Sequence, residues 1–223
     1  MLRVGLTGGI ASGKSLAMSC FCKQGACPID ADALSLDLVK PGKEGWKRIK
    51  KHFGDDVIRE NGTVDRVKLG RIIFSDDEKR GLLNHLLHPL IIDEIKIKLK
   101  QIAEKDPMSI AVVELPLLIE CGLQNDFDNI VVVMTTRATQ LKRLMERNSL
   151  SRKEAEERLN AQMDLYEKKK YADYIIENNA TKVEVEKQVK AMYCLMKTEV
   201  KAQRNRGTKA QRHKDTKEQR NKK

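Results

Sequence analysis

Apolar residues fall in short blocks separated by longer stretches of helical period. Leu2-Arg3-Val4-Gly5-Leu6-Thr7 alternates apolar positions and predicts a buried strand. Ile110–Leu115 and Ile130–Met134 are apolar almost throughout, the pattern of strands covered on both faces of a parallel sheet. Cys27–Asp32 and Ala172–Asn178 predict two shorter strands, the first ending in a pair of acids. Leu16–Cys22 and Val183–Val200 carry helical spacing. Strands that alternate with helices in this way predict an α/β fold, a parallel five-stranded sheet flanked by helices.

Residues 33–104 interrupt the alternation. Trp46, Ile49 and Phe53 recur at helical spacing, Pro41-Gly42, Gly54 and Asn61-Gly62 punctuate, and further helices start at Asp65 and at Asp76 or Asp77. A long amphipathic pattern follows through Leu90, Ile91, Ile95, Leu99 and Ile102. About seventy residues without a strand are too many for a simple crossover, so they predict an inserted helical domain. Thr139–Arg147 and Ser151–Asp164 predict two charged helices, the second opened by a Ser151…Glu154 capping box. Arg143 and Arg147, four apart, share a helix face. Such a pair reads either as a solvated surface or as a two-helix lid that brings arginines onto phosphates. The expected division is a core of residues 1–32, 105–135 and 167–197, a helical domain at 33–104, a lid at 136–166 and a tail at 198–223.

Between the first strand and the first helix lies Gly8-Gly9-Ile10-Ala11-Ser12-Gly13-Lys14-Ser15, with the spacing and strand–loop–helix setting of a phosphate-binding loop, making this a P-loop NTPase-like sheet. Glycines let successive N–H groups turn inward into an anion-binding concavity, and the helix N-terminus adds donors and a positive dipole. Lys14 is positioned by spacing to reach the β- and γ-phosphates of a nucleotide, and the Ser15 hydroxyl to ligate Mg²⁺. Asp30 and Asp32 emerge at the carboxyl end of a strand, where ligands bind in parallel sheets. Helix capping and catalysis are both open for them. Glu114 ends another strand, where phosphate-loop proteins keep a carboxylate near the cation. His88 stands alone in a Leu/Ile-rich stretch, where a helix-cap or core histidine is the commoner reading than a site residue.

The net charge of +11 is unevenly spread: residues 197–223 hold 11 Lys/Arg against 3 Asp/Glu, which leaves only +3 on the rest. Apolar residues thin out in this tail, and disorder is expected beyond about residue 203. A basic tail also suits weak, salt-dependent contact with RNA or acidic surfaces. The five cysteines are odd in number and scattered, as in a reduced cytoplasmic protein rather than a disulfide scaffold. The chain starts directly in a strand without a secretory leader pattern, and no apolar run reaches membrane-spanning length.

Taken in order, Gly5-Leu6-Thr7-Gly8-Gly9-Ile10, Ser12-Gly13-Lys14-Ser15, Ile29-Asp30-Ala31-Asp32, Val64-Asp65-Arg66, His88-Pro89-Leu90-Ile91, Pro116-Leu117-Leu118 with Glu120, Arg143 with Arg147, Gln162, and Ala172-Asp173 with Asn178 resemble the dephospho-CoA kinase family over residues 1 to about 195. The resemblance implies a nucleotide core, a helical acceptor domain and a lid. It implies transfer of a phosphoryl group from ATP to the ribose 3′-hydroxyl of dephospho-CoA, the last step of coenzyme A biosynthesis. By position, Gly8, Gly9, Ala11, Ser12, Gly13, Lys14, Ser15 and Leu16 hold the nucleotide, and Ser15 holds Mg²⁺. Asp32 is implied as base and orienter for the acceptor hydroxyl, with His88 in the acceptor pocket and Lys14, Arg143 and Arg147 on the transferring phosphate. Ala11 stands where the family has Gly, which calls for a negative φ there, and Leu16 replaces a Thr hydroxyl. Glu114 and Asn148 replace Asp, and Leu36 stands where Arg or His is common. Two other readings use the same loop: an RNA-dependent ATPase that contacts nucleic acid through the tail, and a kinase for another small molecule. The sequence leaves an oligomer open.

Overall fold

The computed structural model describes residues 1–220, with side chains through Ala202 apart from that of Phe74. Five strands form one sheet in the order β2-β3-β1-β4-β5: β1 (Leu2–Gly8), β2 (Cys27–Asp30), β3 (Ile110–Glu114), β4 (Asn129–Met134) and β5 (Tyr174–Glu177). β1 runs parallel to β3, Leu2 opposite Ile110 and Leu6 opposite Glu114, and parallel to β4, Gly8 opposite Val133. β4 runs parallel to β5, Val131 opposite Tyr174. The α/β expectation therefore holds. The two apolar runs became the inner strands because both sheet faces are covered, and every residue of β4 is buried.

The period of two divides the β4 side chains between two cores. Val131 and Val133 join Leu2, Val4, Leu6 and Val112 beneath α1 (Lys14–Lys23) and α9 (Lys182–Arg220), where Phe21, Val185, Val189, Met192 and Met196 pack. Ile130, Val132 and Met134 face the other way, onto Leu118, Ile119 and Leu165. The apolar stripe of α9 ends at Val200, where the sequence predicts the helix to stop, yet the helical backbone continues to Arg220. Residues 221–223 of the expected tail lie outside the described residues.

The chain separates into two compact units: Met1–Pro28 with Ile102–Lys223, and Ile29–Gln101. The second unit has its own core of Ile49, Val57, Val64, Leu69 and Leu83, flanked by Trp46, Phe53 and Leu87. Its helices are α2 (Ala31–Leu38), α3 (Glu44–Phe53), α4 (Arg66–Ser75) and the first part of α5 (Asp77–Lys105). Trp46 Nε1 donates to the Gly62 carbonyl at 2.8 Å and ties α3 to the Asn61-Gly62 turn. That turn sits in a one-residue antiparallel bridge, Ile58 to Val64, where the sequence shows no strand. Asp65 caps α4 through Val67 N and Lys68 N. α5 runs unbroken through Pro89, whose ring removes one helical donor. Arg48 Nη1 donates to the Leu86 carbonyl at 3.1 Å in that weakened turn.

Beyond the sheet, the charged segment forms α6 (Arg137–Asn148), α7 (Arg152–Asn160) and α8 (Leu165–Lys169). The single helix predicted over Ser151–Asp164 thus ends at Asn160, and Asp164 caps a new helix by accepting from Tyr166 N. The capping box at Ser151 and Glu154 is formed as read.

Candidate active site

β1 ends at Gly8 and α1 begins at Lys14, so the phosphate-loop residues bridge strand and helix as their spacing requires. Gly13, the N-cap, has φ +97°, and a Cβ there would meet Asn178 Nδ2. Gly9 is needed for space instead: a side chain would collide with the Gln140 amide. Ala11 has φ +57°, in the left-handed region, which corrects the negative φ expected for it. Lys14 is only 9% exposed and folds back over the loop, its Nζ donating to the Gly8 carbonyl at 3.3 Å and the Gly9 carbonyl at 3.1 Å. A buried ammonium needs such partners, and phosphate oxygens would satisfy the same donors. Ser12 is buried with no hydrogen-bond partner for its Oγ, while Ser15 is exposed in the first turn of α1. Leu16 is half-buried and packs against the core beneath α1.

Four side chains from outside the motif hold the loop backbone. Gln140 Nε2 on α6 donates to the Ile10 carbonyl at 2.7 Å, and Gln162 Oε1, after α7, accepts from Ile10 N at 2.8 Å. Arg143 Nη1 lies 3.4 Å from the Ala11 carbonyl and 3.5 Å from that of Ser12, and its Nη2 donates to the Asn178 carbonyl at 3.2 Å. Asn178 Nδ2 donates to the Ser12 carbonyl at 2.7 Å. Asn179 holds the base of α6: its Oδ1 accepts from Thr135 Oγ1 and Thr136 N at 2.8 and 2.9 Å. Beside the loop, Gly9, Arg137, Gln140, Asn160, Gln162 and Asp164 help line a cavity of about 290 Å³.

The shared face of Arg143 and Arg147 does not bring both to the loop. Residues four apart stand one helical turn, ~6 Å, apart along the axis. Arg147 is exposed, with its Nε donating to Asn148 Oδ1 at 3.0 Å. Gln140, three residues before Arg143, is the inward neighbour, and its burial at 6% exposure marks a polar group with a job. Sequence pattern did not single it out, because a glutamine in a charged helix looks solvated.

The structure separates the two strand-end acids. β2 stops at Asp30, whose Oδ1 accepts from Ala33 N at 3.0 Å and caps α2. Asp32, expected on the strand, is instead exposed in the first turn of α2. Helix capping is therefore Asp30's role. His88 is half-buried in α5, and burial pushes its imidazole below the ordinary value, favouring the neutral ring. Glu114 ends β3 opposite Leu6 of β1. Beyond it, fully buried Lys168 forms an ion pair with Glu120 at 2.8 Å and donates to the Pro116 carbonyl at 2.7 Å. Nothing in the local sequence marks Lys168.

Among the described residues, no group of three or more His, Cys, Asp or Glu is placed to hold a metal by itself. No described helix is long and apolar enough to cross a membrane.

Comparison with known proteins bears on the reaction. The dephospho-CoA kinase family model matches residues 2–184. A dephospho-CoA kinase of Shouchella clausii is 43% identical over 188 residues, covering 84% of this chain and 95% of its own. One from Arabidopsis thaliana is 46% identical over 179 residues, 80% of this chain and 76% of its own. The dephospho-CoA kinase structure from Campylobacter jejuni superposes with a TM-score of 0.66 at 28% identity, over 88% of this chain and 97% of that one. A match that runs from β1 into α9, and so takes in the phosphate loop, the helical unit and the charged helices α6 and α7, carries more than a shared loop could: the chain belongs to the dephospho-CoA kinase family.

Proposed function

We propose that this chain transfers the γ-phosphoryl group of ATP to the ribose 3′-hydroxyl of dephospho-CoA, giving coenzyme A and ADP. The observation that carries the reading is the Lys14 ammonium, 3.1 Å from the Gly9 carbonyl within a phosphate loop, in a chain of this family. Loop N–H groups of Gly9 and of Ala11 to Leu16 bind the phosphates, the Ile10 N–H being held by Gln162, and the dipole of α1 favours their charge. In the transfer, a bond forms from the acceptor oxygen to the γ-phosphorus as the bond to the β–γ bridging oxygen breaks. Lys14 and Arg143 balance the charge carried to ADP, and Arg147 adds to this from the next turn of α6. The Asp32 carboxylate orients the acceptor hydroxyl and takes its proton. His88, held neutral by burial, contributes to the acceptor pocket without adding charge.

Mg²⁺ fits the residues present as a cation that arrives with the nucleotide. The exposed Ser15 hydroxyl would supply one hard oxygen to it, the other ligands coming from outside the protein. When bound it neutralises phosphate charge and orients the leaving group.

The odd number and scatter of the five cysteines fit a reducing cytoplasmic setting. The basic residues of the tail would give weak, salt-dependent binding to RNA or acidic surfaces, separable from catalysis. The test is a coupled assay of ADP formation with dephospho-CoA, RNA and a panel of small-molecule hydroxyl acceptors offered in turn. ADP should form with dephospho-CoA, together with coenzyme A. A folded Lys14→Ala variant should lose more than tenfold in kcat/KM, ~1.4 kcal/mol. Turnover that depends on RNA or on another acceptor would overturn the reading.

A further inference from the structure

The geometry points to Gln140, on α6, and Gln162, in the turn after α7, as a pair of positioning residues that clamp the Ile10 backbone of the phosphate loop, one as donor and the other as acceptor. The inference rests on the phosphate-transfer reading of this site. One side chain donates to the Ile10 carbonyl and the other accepts from the Ile10 amide, so the residue's two backbone polar groups are taken by two lid segments. A side chain that only filled space would not need complementary polarity on the two sides of one residue.

Three further observations give the clamp a purpose. The next residue, Ala11, has φ +57°, a conformation an L-residue resists, and the bonds on Ile10 and the Arg143 contact on the Ala11 carbonyl hold the backbone there from both sides. Gly9, whose φ is not in the left-handed region, has no room for a side chain because Gln140 lies against it. Asn179 fixes the base of α6 through Thr135 and Thr136, while its neighbour Asn178 holds the Ser12 carbonyl, so the lid and the loop share one anchor at the end of β5. The clamp orients the loop's N–H groups before phosphate arrives, which is preorganisation of the electrostatic kind that phosphoryl transfer uses.

Polarity makes the test sharp. Gln140→Glu and Gln162→Glu each add one negative charge beside the loop, so charge is common to both. Glutamate at 162 still accepts from the Ile10 amide, whereas glutamate at 140 cannot donate and sets a carboxylate against the Ile10 carbonyl. With both variants folded, Gln140→Glu should lose at least tenfold more kcat/KM for ATP than Gln162→Glu, with KM for dephospho-CoA moved far less. Independently of turnover, hydrogen exchange of the Ile10 amide in nucleotide-free protein should speed up in Gln162→Ala and stay slow in Gln162→Glu. Equal losses in the two glutamate variants, or an Ile10 exchange rate that Gln162→Ala leaves unchanged, would overturn the clamp. Absence of turnover by the wild-type protein with dephospho-CoA would overturn the functional reading instead, and the exchange experiment would still decide the clamp.

Discussion

The Lys168 ammonium, with none of its side chain exposed, lies 2.8 Å from Glu120 Oε1, and the same oxygen accepts from Met163 N at 3.2 Å. One ion pair thus links α8, the segment following β3 and the turn that carries Gln162. The Pro116 carbonyl takes a bond from Lys168 and a second from Thr7 Oγ1 at the end of β1. Removing one partner of a buried pair strands the other, at about 3–5 kcal/mol, and Glu120 keeps enough exposure to place the loss at the lower end. Lys168→Met should therefore cost about 3 kcal/mol in denaturant unfolding. Adding Glu120→Gln, which keeps an acceptor for Met163 N without a stranded charge, should recover part of it. A single-variant loss under ~1 kcal/mol would show that the pair is not a structural tie.

Ala11 carries a cost that its sequence position hides. A left-handed φ costs an L-residue roughly 1–2 kcal/mol, and glycine escapes it at an unfolded-state entropy cost of about 0.5–1 kcal/mol. Its methyl packs at the edge of the Leu144, Ala155 and Leu159 cluster, which takes back part of the gain. Ala11→Gly should thus stabilise the protein by ~0.5 kcal/mol. Ala11→Val should destabilise it by more than ~1 kcal/mol, since a β-branched residue tolerates this φ least. Unfolding midpoints of the three proteins test the order Gly, Ala, Val, and the reverse order would mean that the loop relaxes to a negative φ.

The phosphate loop was legible because its chemistry is local, with eight consecutive residues between a strand pattern and a helix pattern. The inner strands β3 and β4 were legible for the same reason, since burial on both faces leaves apolar runs. The side chains that hold the loop were not. Gln140 and Asn178 reach it across 130 and 166 residues of chain, and single-sequence patterns carry no such pairing. Lys168 looks like a surface lysine among Glu167, Lys169 and Lys170, and only the fold buries it. Pro89 shows the limit of local rules: proline disfavours a helix interior, yet Leu83, Leu86, Ile95 and Leu99 are buried along one helix that continues through it.

Asp128 gives the core a defined acid response. Burial alone would push its carboxyl up, but the Arg3 guanidinium and backbone N–H hold it below the ordinary carboxylate value. A carboxyl depressed in the folded state binds fewer protons there than in the unfolded chain. Its contribution is therefore present above the unfolded pKa and is lost as pH falls through the folded one. Melting temperature should fall as pH is lowered below about 4, and Asp128→Asn, already less stable at pH 7, should show a shallower fall across that window. Parallel slopes for the two proteins would mean that other carboxylates govern the acid limb.

Asp32 and Asp30 give the test of mechanism, because one of the pair has a structural duty and the other is not the cap. Asp30 Oδ1 accepts from Ala33 N, and asparagine caps a helix about as well as aspartate. Asp30→Asn should therefore leave both stability and turnover close to wild type. Asp32 stands in the first turn of α2, where a carboxylate is also favoured by the helix dipole. The acceptor is a sugar hydroxyl whose proton must leave during or after attack. Asparagine at 32 preserves shape and some hydrogen bonding but cannot accept that proton. Phosphoryl transfer has a loose transition state, so part of the carboxylate's role is aim rather than early deprotonation. Asp32→Asn should lower kcat by ~10²–10⁴, the span usual for a positioned acid–base group, with the KM for ATP changed much less. Steady-state kinetics on the two folded variants decide the assignment. A larger loss in Asp30→Asn would move the base to the capping residue, and less than a tenfold loss in both would mean that the hydroxyl is oriented from another part of the chain.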